Sequence, residues 1–419
     1  MKQQVSGAFV FRAEAQSPKG SVLYNEHLKI ADKSHIAEFA GYLMPLWYSS
    51  ISEEHAAARQ KAGVFDCTHM GVLEVSGKEA EGFLDAITTN NVSALAIGAA
   101  QYSYILDADG NVLDDIIVYR RGADKFMVVV NAANEPKVRA YLAALRTGEA
   151  VIDLSRPDRR IKCASVRDTS SGRDCKVDIA IQGPASLDVL GKIADDPLVS
   201  QQIKGLKSFT FCQAKLTGVD CIISRTGYTG AKVGFEIFVR PESTVKLWQH
   251  LIDAGALPCG LGARDSLRIE AGLPLYGHEL AGQYNISPFE AGYGWAVKLE
   301  KEFFIGKEAM MRAAKSYDMT VARIELPGEK GVRPVRQGDG VVSDGVCVGW
   351  VLSCATVDKR QIALAYLEKD KVRVGNSTGV YYLARSEGQK SKGRKETVRR
   401  GETVDADITG KIVSRFEKF

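Results

Sequence analysis

The sequence predicts an α+β protein with mostly antiparallel sheets, more than one domain and a small β-barrel or sandwich at its end. Three observations predict it. The chain has 419 residues, more than one typical core holds, so two or three domains are expected. Its first part runs strand, helix, strand, strand, strand, helix with short loops, the pattern of an α+β unit with a mainly antiparallel sheet. Its last hundred residues read as short strands separated by Gly-rich turns.

Each element has its own signal. From Leu23 to about Lys61 the pattern is mixed, with Phe39–Tyr42 and Pro45–Tyr48 as irregular aromatic packing. Ser52 to Lys61 reads as a helix with Ser52 as its cap, because a serine hydroxyl accepts an orphan N–H of the first turn. Gly71–Gly77 is a short strand and Lys78–Ile87 an amphipathic helix. Tyr102–Leu106 and Val112–Tyr119 are strand-like runs joined by Asp107-Ala108-Asp109-Gly110-Asn111. An Asp-Gly pair between alternating apolar runs signals a hairpin. Lys125–Asn131 is a third strand and Asn134–Leu145 a second helix. Short strands dominate from about Ala150 to Trp248, with a helix over Thr244–Ala254. The loop Gly260-Leu261-Gly262-Ala263 leads into a helix at Arg264–Ala271. A break falls near Ala313–Ser316. Beyond it Val321–Leu326, Val346–Val351, Ile362–Leu367 and Val380–Leu383 are strands.

Composition excludes several functions. A net charge of +4 over this length is too small to mark a nucleic-acid binder. No apolar stretch reaches membrane-spanning length, so a soluble protein without a membrane partner is expected. The eight cysteines are scattered, with no C-x-x-C pair, which suits buried thiols in a reducing compartment. His27, His35, His55, His69, His250 and His278 form no H-x-x-x-H pair, so no metal is expected. There is no G-x-S-x-G and no Walker A motif. Gly260-Leu261-Gly262 is only a fragment of a dinucleotide fingerprint, so neither flavin nor nicotinamide is expected.

The chemistry-bearing residues are polar groups set in apolar runs. Asp114 and Asp115 sit in Val112–Tyr119, where all else is apolar or aromatic. Burying a carboxylate costs several kcal/mol unless it is paired, hydrogen-bonded or protonated, so such a residue usually has a use. By strict alternation Leu113, Asp115, Ile117 and Tyr119 share one face, and Val112, Asp114, Ile116 and Val118 the other. Asp115 lies deeper in the run. A wet strand edge with a turn cap is the competing reading, at even odds for Asp114 and lower odds for Asp115. Glu236 is a second strand carboxylate, in Gly234–Val239. Arg264 follows glycines that let a ligand approach the backbone. A carboxylate accepts two parallel N–H bonds from a planar amidine-like edge, as aminopyrimidines and pterins present. Tyr102, Tyr119 and Tyr228 could stack on such a flat ring. Glu236 and Arg264 pairing as plain structure is the alternative.

At these motifs the sequence resembles the aminomethyltransferase, or T-protein, family of the glycine cleavage system. The match runs from about Leu23 to Ala309 and more loosely beyond. It is carried by Phe39-Ala40-Gly41 with Met44-Pro45-Leu46, Phe65–Gly71, the Asp114-Asp115 strand and Ile181-Gln182-Gly183-Pro184. Ser224–Gly230, Gly260–Gly272, Leu275-Tyr276-Gly277 and Phe304–Ala309 continue it. The resemblance implies a three-domain cloverleaf. Residues 1–22 would be an N-terminal extension and 23–312 a folate-binding region of two interleaved subdomains, with an α+β insert at about 52–148. Residues 317–419 would form the barrel domain.

The implied reaction takes an aminomethyl group carried on the lipoyl arm of H-protein, releases ammonia and gives 5,10-methylenetetrahydrofolate. Tetrahydrofolate is a co-substrate, lipoylated H-protein the partner, and the P- and L-proteins functional companions. The resemblance places the catalytic aspartate on Asp115, the pterin-gripping glutamate on Glu236 and a folate-contacting arginine on Arg264. Tyr102, Tyr119, Asn131 and Tyr228 align with the folate pocket. Departures exist. The family's T-G-E-D-G-F-E is Thr229–Glu236 here, lacking both acids and one residue longer. The family's T-S-G-x-x-S-P run appears only as Leu352–Val357, and its terminal aromatic contact has no clear counterpart in Ser414–Phe419.

Two other readings compete. Folate-binding relatives that assist iron–sulfur proteins carry K-G-C-Y-x-G-Q-E, whereas this chain has Leu273–Glu279, Leu-Pro-Leu-Tyr-Gly-His-Glu. Dimethylglycine dehydrogenases add a flavin domain, for which about twenty preceding residues leave no room. The N-terminal composition suits a mitochondrial transit peptide and a plain extension equally. The expected compartment is the mitochondrion for a eukaryotic source and the cytoplasm otherwise. Residues 385–400 are rich in Lys and Arg; they read as a solvated loop, with steering of an acidic partner as the minority reading.

Overall fold

The computed structural model describes residues 6–13, 17–168, 175–390, 393–417 and 419. The expectation for Met1–Val5 and Glu14–Gln16 of the N-terminal extension, and for Ser391 and Lys392 of the basic run, lies outside the described residues. The fold is α+β with mostly antiparallel sheets and a closed C-terminal barrel. The chain divides into two compact units. One comprises residues 1–227, 231–264 and 295–312; the other comprises 228–230, 265–294 and 313–419.

The first unit holds two large sheets. The six-stranded sheet runs Phe211–Leu216, Val219–Ser224, Gly234–Val239, Val177–Gln182, Gly63–Asp66 and Leu257–Cys259, with only the last pair parallel. The five-stranded sheet runs Ala100–Leu106, Val112–Arg120, Lys125–Val130, Gly71–Ser76 and Ser165–Asp168, antiparallel throughout. A three-stranded sheet orders Lys19–Gly20, Tyr42–Pro45 and Ile36–Phe39.

Alternation explains the layers. Odd-numbered Val177, Ile179 and Ile181 join Phe235, Ile237 and Trp248 in one core, covered by helices Ser186–Ile193 and Pro241–Asp253. The other face of that sheet meets the five-stranded sheet through Ile222, Phe238, Val72, Met127, Val129 and Tyr119. Helices Ala80–Ile87 and Glu135–Thr147 cover the far face of the five-stranded sheet. Ala80, Phe83, Leu84 and Ile87 are buried at helical spacing, which is why that segment is a helix. Burying Phe83, Leu84 and Ile87 contributes about 1.5–3 kcal/mol each.

Local details depart from the sequence reading in two places. Helix Ile51–Gln60 is capped by Ser50, whose hydroxyl accepts from the Glu53 amide at 3.2 Å. Ser50 is extended and reaches the first turn; Ser52 is already inside the helix and cannot. In the hairpin, the register shifts between Ile105 and Leu106, so strict alternation fails at the turn end of Val112–Arg120. Leu113 therefore packs with Ile116 and Val118 instead of with Ile117 and Tyr119.

The second unit carries the closed six-stranded barrel: Met319–Pro327, Arg360–Glu368, Val346–Val357, Gly340–Ser343, Ser377–Tyr381 and Ile408–Val413 in spatial order. Its interior is small and branched, with Ala322, Ile324, Val341, Val351, Ala363, Ala365 and Val380 buried. Arg268 is 1 % exposed and donates to Glu279 Oε2 at 2.6 Å, with a second bond to Ser353 Oγ at 2.9 Å. The basic run spends much of its charge on its own unit. Arg394 holds Asp407 through both terminal nitrogens, Arg385 reaches Asp339, and Lys395 pairs with Glu402.

Candidate active site

Asp115 and Asp114 lead from the strand Val112–Arg120 toward the loop that follows Lys125–Val130. Asp115 is partly buried. Its Oδ2 accepts from the Tyr102 hydroxyl at 2.9 Å and its Oδ1 from Asn131 Nδ2 at 2.8 Å. Both oxygens are thus oriented by neutral donors. Asp114 is 0 % exposed and accepts from the Asn131 amide at 3.0 Å, Asn131 Nδ2 at 2.8 Å and Asn134 Nδ2 at 2.6 Å. The depth expected from the run is reversed. Asp114 is the sealed carboxyl, because the loop carrying Asn131 and Asn134 folds over it.

These surroundings set the charges. Burial, and then the charge of Asp115, pushes the Asp114 carboxyl up to about 8. Burial also raises Asp115, while Tyr102 and Asn131 pull it back. The two carboxyls titrate as a pair. At neutral pH Asp114 therefore keeps its proton, and Asp115 is the member open to a ligand.

The second cluster lies on the inner face of the six-stranded sheet. Glu236 Oε2 accepts from the Thr226 hydroxyl and, at 3.3 Å, from the Tyr119 hydroxyl. Among the described residues both donors fall on Oε2, so Oε1 is left for an incoming N–H edge. Arg264 is held in helix Leu261–Ala271, and its Nη1 donates to Cys67 Sγ at 3.2 Å. Gly260 and Gly262 crowd Leu46 and Ile51 so closely that a Cβ would clash, at 2.5 and 2.6 Å. Those glycines serve close packing at the helix start.

The structure therefore brings Asp115, Tyr102 and Asn131 together at one point and Glu236 with Tyr119 at another. The strand Val112–Arg120 links the points, since Asp115, Ile117 and Tyr119 alternate onto one face, spanning about 13 Å at 3.3 Å per residue. One stacking expectation is corrected. Tyr119 is 0 % exposed, with its ring edge-on to Phe211 and Phe238, so it acts through its hydroxyl on Glu236. Tyr228 is half-buried, and its hydroxyl donates to the Pro274 carbonyl at 2.6 Å.

Sequence reasoning missed three contributors. Thr226 orients Glu236, and Asp178 lies buried on the same sheet face. Trp295, half exposed, lies 5.9 Å from the Tyr102 ring. Asp178 had a legible signal, a carboxylate inside Val177–Gln182 just before the Gln182-Gly183-Pro184 match. A surface cavity, lined by Leu73, Phe83, Arg139, Leu142 and Val166, opens on the helix-covered face of the five-stranded sheet and holds none of these residues.

Comparison with known proteins shows the family. The GCVT N-terminal domain model matches residues 24–301. An aminomethyltransferase of Thermus thermophilus is 42% identical over 356 residues, covering 84% of this chain and 92% of that protein. One from Symbiobacterium thermophilum is 38% identical over 381 residues, covering 88% and 95%. The crystal structure of glycine cleavage system aminomethyltransferase T from Bartonella henselae superposes with a TM-score of 0.74 at 27% identity, covering 96% of this chain and all of that one. The chain belongs to the GCVT family of aminomethyltransferases.

Proposed function

We propose that the chain is the aminomethyltransferase of a glycine cleavage system, moving a one-carbon unit from the aminomethyl-lipoyl arm of H-protein to tetrahydrofolate. Glu236 accepts the amidine edge of the pterin through its open Oε1, with Thr226 and Tyr119 fixing its orientation. Arg264 supplies positive charge to the folate. Asp115 orients the folate and steadies the positive charge that develops as a folate nitrogen attacks.

The chemistry balances without an oxidant. At the transferred carbon, the bonds to sulfur and to the amine nitrogen break, and two bonds to folate nitrogens form. The two folate N–H protons end on the departing ammonia and on the lipoyl thiol. The P- and L-proteins would act before and after this step on the same carrier.

One observation carries the reading: Asp115, partly open, is held by Tyr102 at 2.9 Å and Asn131 at 2.8 Å, while its neighbour Asp114 is sealed. Nothing in that arrangement makes Asp115 a counter-ion. The test is methylene-tetrahydrofolate formation from aminomethylated H-protein by the purified chain. Turnover by the wild type and its loss in Asp115→Ala, with folding and folate binding kept, supports the assignment. Unchanged turnover in Asp115→Ala overturns it.

A further inference from the structure

Lys301 is a buried cation that the reaction above does not use. Its side chain is 4 % exposed. Nζ donates to the Thr88 carbonyl at 2.8 Å, to the Asn90 carbonyl at 2.9 Å and to the Asp85 carbonyl. An ammonium has three N–H donors, so these carbonyls use all of them. Asp85 Oδ1, 3.3 Å away, supplies the opposite charge. Asp85 lies in the last turn of helix Ala80–Ile87 and Thr88 is its C-cap. Carbonyls there lack intrahelical donors and carry the negative end of the helix dipole. A plain helix cap would stop at those two. The third carbonyl lies beyond the helix, so the ammonium also pins the loop Thr88–Asn90.

That loop runs along the strand Ala100–Leu106, which carries Tyr102. Thr89 N–H donates to the Tyr104 carbonyl at 3.1 Å, and Tyr104 N–H donates back to Thr89 Oγ1 at 3.2 Å. Asn90 N–H donates to Ser103 Oγ at 2.9 Å, and Asn90 Nδ2 to the Tyr102 carbonyl at 2.8 Å. The segment leading to Lys301 holds the same loop. Thr89 Oγ1 donates to the Ala296 carbonyl at 2.9 Å, and Lys298 N–H to the Thr89 carbonyl at 2.9 Å. The Tyr102 hydroxyl in turn donates to Asp115 Oδ2 at 2.9 Å. Hydrogen bonds no longer than 2.9 Å thus link Lys301 to Asn90, Asn90 to Tyr102 and Tyr102 to Asp115.

We propose that Lys301 is a positioning residue for Asp115, a resident cation that holds Asn90 against the strand and so sets the Tyr102 hydroxyl on the carboxyl. This rests on the reading of Asp115 as the group that acts on the folate. Without the ammonium, three buried carbonyls converge on no donor, and an unpaired buried acceptor is costly. Turning them to water relieves that cost and draws Asn90 off the Tyr102 carbonyl. The loss falls on the transfer step, because Glu236 and Arg264 stand on a different sheet and helix.

The experiment is single-turnover transfer from aminomethylated H-protein, with tetrahydrofolate titration, on the full chain carrying K301M, N90A, Y102F, K301M/Y102F or N90A/Y102F. Met keeps the length of the lysine side chain without its charge. K301M is expected to slow transfer at least fivefold, with the tetrahydrofolate Kd within threefold of wild type. N90A cuts the link to Tyr102 and leaves the lysine its carbonyls; it is expected to give the same split, and it carries the test if K301M does not fold. Y102F is expected to slow transfer at least fivefold. Each double variant is expected to stay within twofold of its slower parent, because losses through one shared hydroxyl do not add. A loss under fivefold in folded K301M, N90A or Y102F overturns the proposal. Losses that multiply in the double variants also overturn it, as does an equal loss of folate affinity. D115A separates the two readings. Unchanged transfer in D115A removes the role of Asp115 itself, whereas a slow D115A beside a normal K301M removes only that of Lys301.

Discussion

Asn131 Nδ2 donates to Asp115 Oδ1 at 2.8 Å, and the same nitrogen donates to Asp114 Oδ1 at 2.8 Å. One amide group thus ties an open carboxylate to a sealed one. It couples the orientation of the proposed catalytic group to the fold of the loop after strand Lys125–Val130. Asn134 adds a second side-chain bond to the sealed partner at 2.6 Å.

Asn131→Ala is expected to lower kcat at least tenfold and stability by about 1–3 kcal/mol, the cost of leaving a buried acceptor without its partner. Urea unfolding and single-turnover kinetics measure the two effects separately. Asn131→Asp should be worse on both counts, since it sets a third carboxyl against the pair.

Asp114→Asn tests the protonation assignment. The folded Asp114 sits at about 8 and the unfolded one near its ordinary 3.8. Between those values the unfolded chain has released a proton that the folded chain keeps. Its contribution is therefore full below about pH 4 and fades as pH rises toward 8. The fall approaches about 1.4 kcal/mol per pH unit. The variant should lose that slope. An unchanged pH dependence of the unfolding free energy would remove the assignment.

Glu236→Gln keeps size and hydrogen bonding but not charge. Tetrahydrofolate affinity at pH 7 is expected to fall about 10–100-fold, the worth of one or two charge-assisted bonds. The thermal midpoint should move little, because Oε1 meets no donor among the described residues. Thr226→Val should reproduce a smaller part of the loss by freeing the Glu236 side chain.

Arg268→Ala addresses the second unit. Arg268 and Glu279 are 1 % and 0 % exposed at the side chain, so the variant strands a buried charge. A loss of about 3–5 kcal/mol is expected. Arg268→Ala with Glu279→Ala should recover part of it, which chemical denaturation of both variants would measure.

Much of this was readable from local pattern. The hairpin at 107–111 follows from an Asp-Gly turn between alternating runs, and Gly110 has a positive φ of 87° there. Helices at 80–87 and 135–147 follow from apolar spacing, the second closing at Gly148 in left-handed conformation. Asp115, Glu236 and Arg264 stood out because each is a charge in an apolar or small-residue setting. The barrel strands Gly340–Ser343 and Ile408–Val413 did not stand out, since each is short and glycine-interrupted and is ordered by its neighbours.

Tertiary structure alone decided how deeply each of these carboxyls is buried and which groups face it. Local alternation names the face of a side chain, but burial depends on what folds over that face from elsewhere in the chain. Asp114 is sealed by Asn131 and Asn134, and Asp178 is set beside Glu236 by the pairing of strands more than fifty residues apart. Tyr119 is turned from a stacking surface into a hydroxyl donor by Phe238 from the opposing sheet. The dry, low-dielectric contact between those sheets makes a lone charge expensive, and no run of residues contains that information by itself.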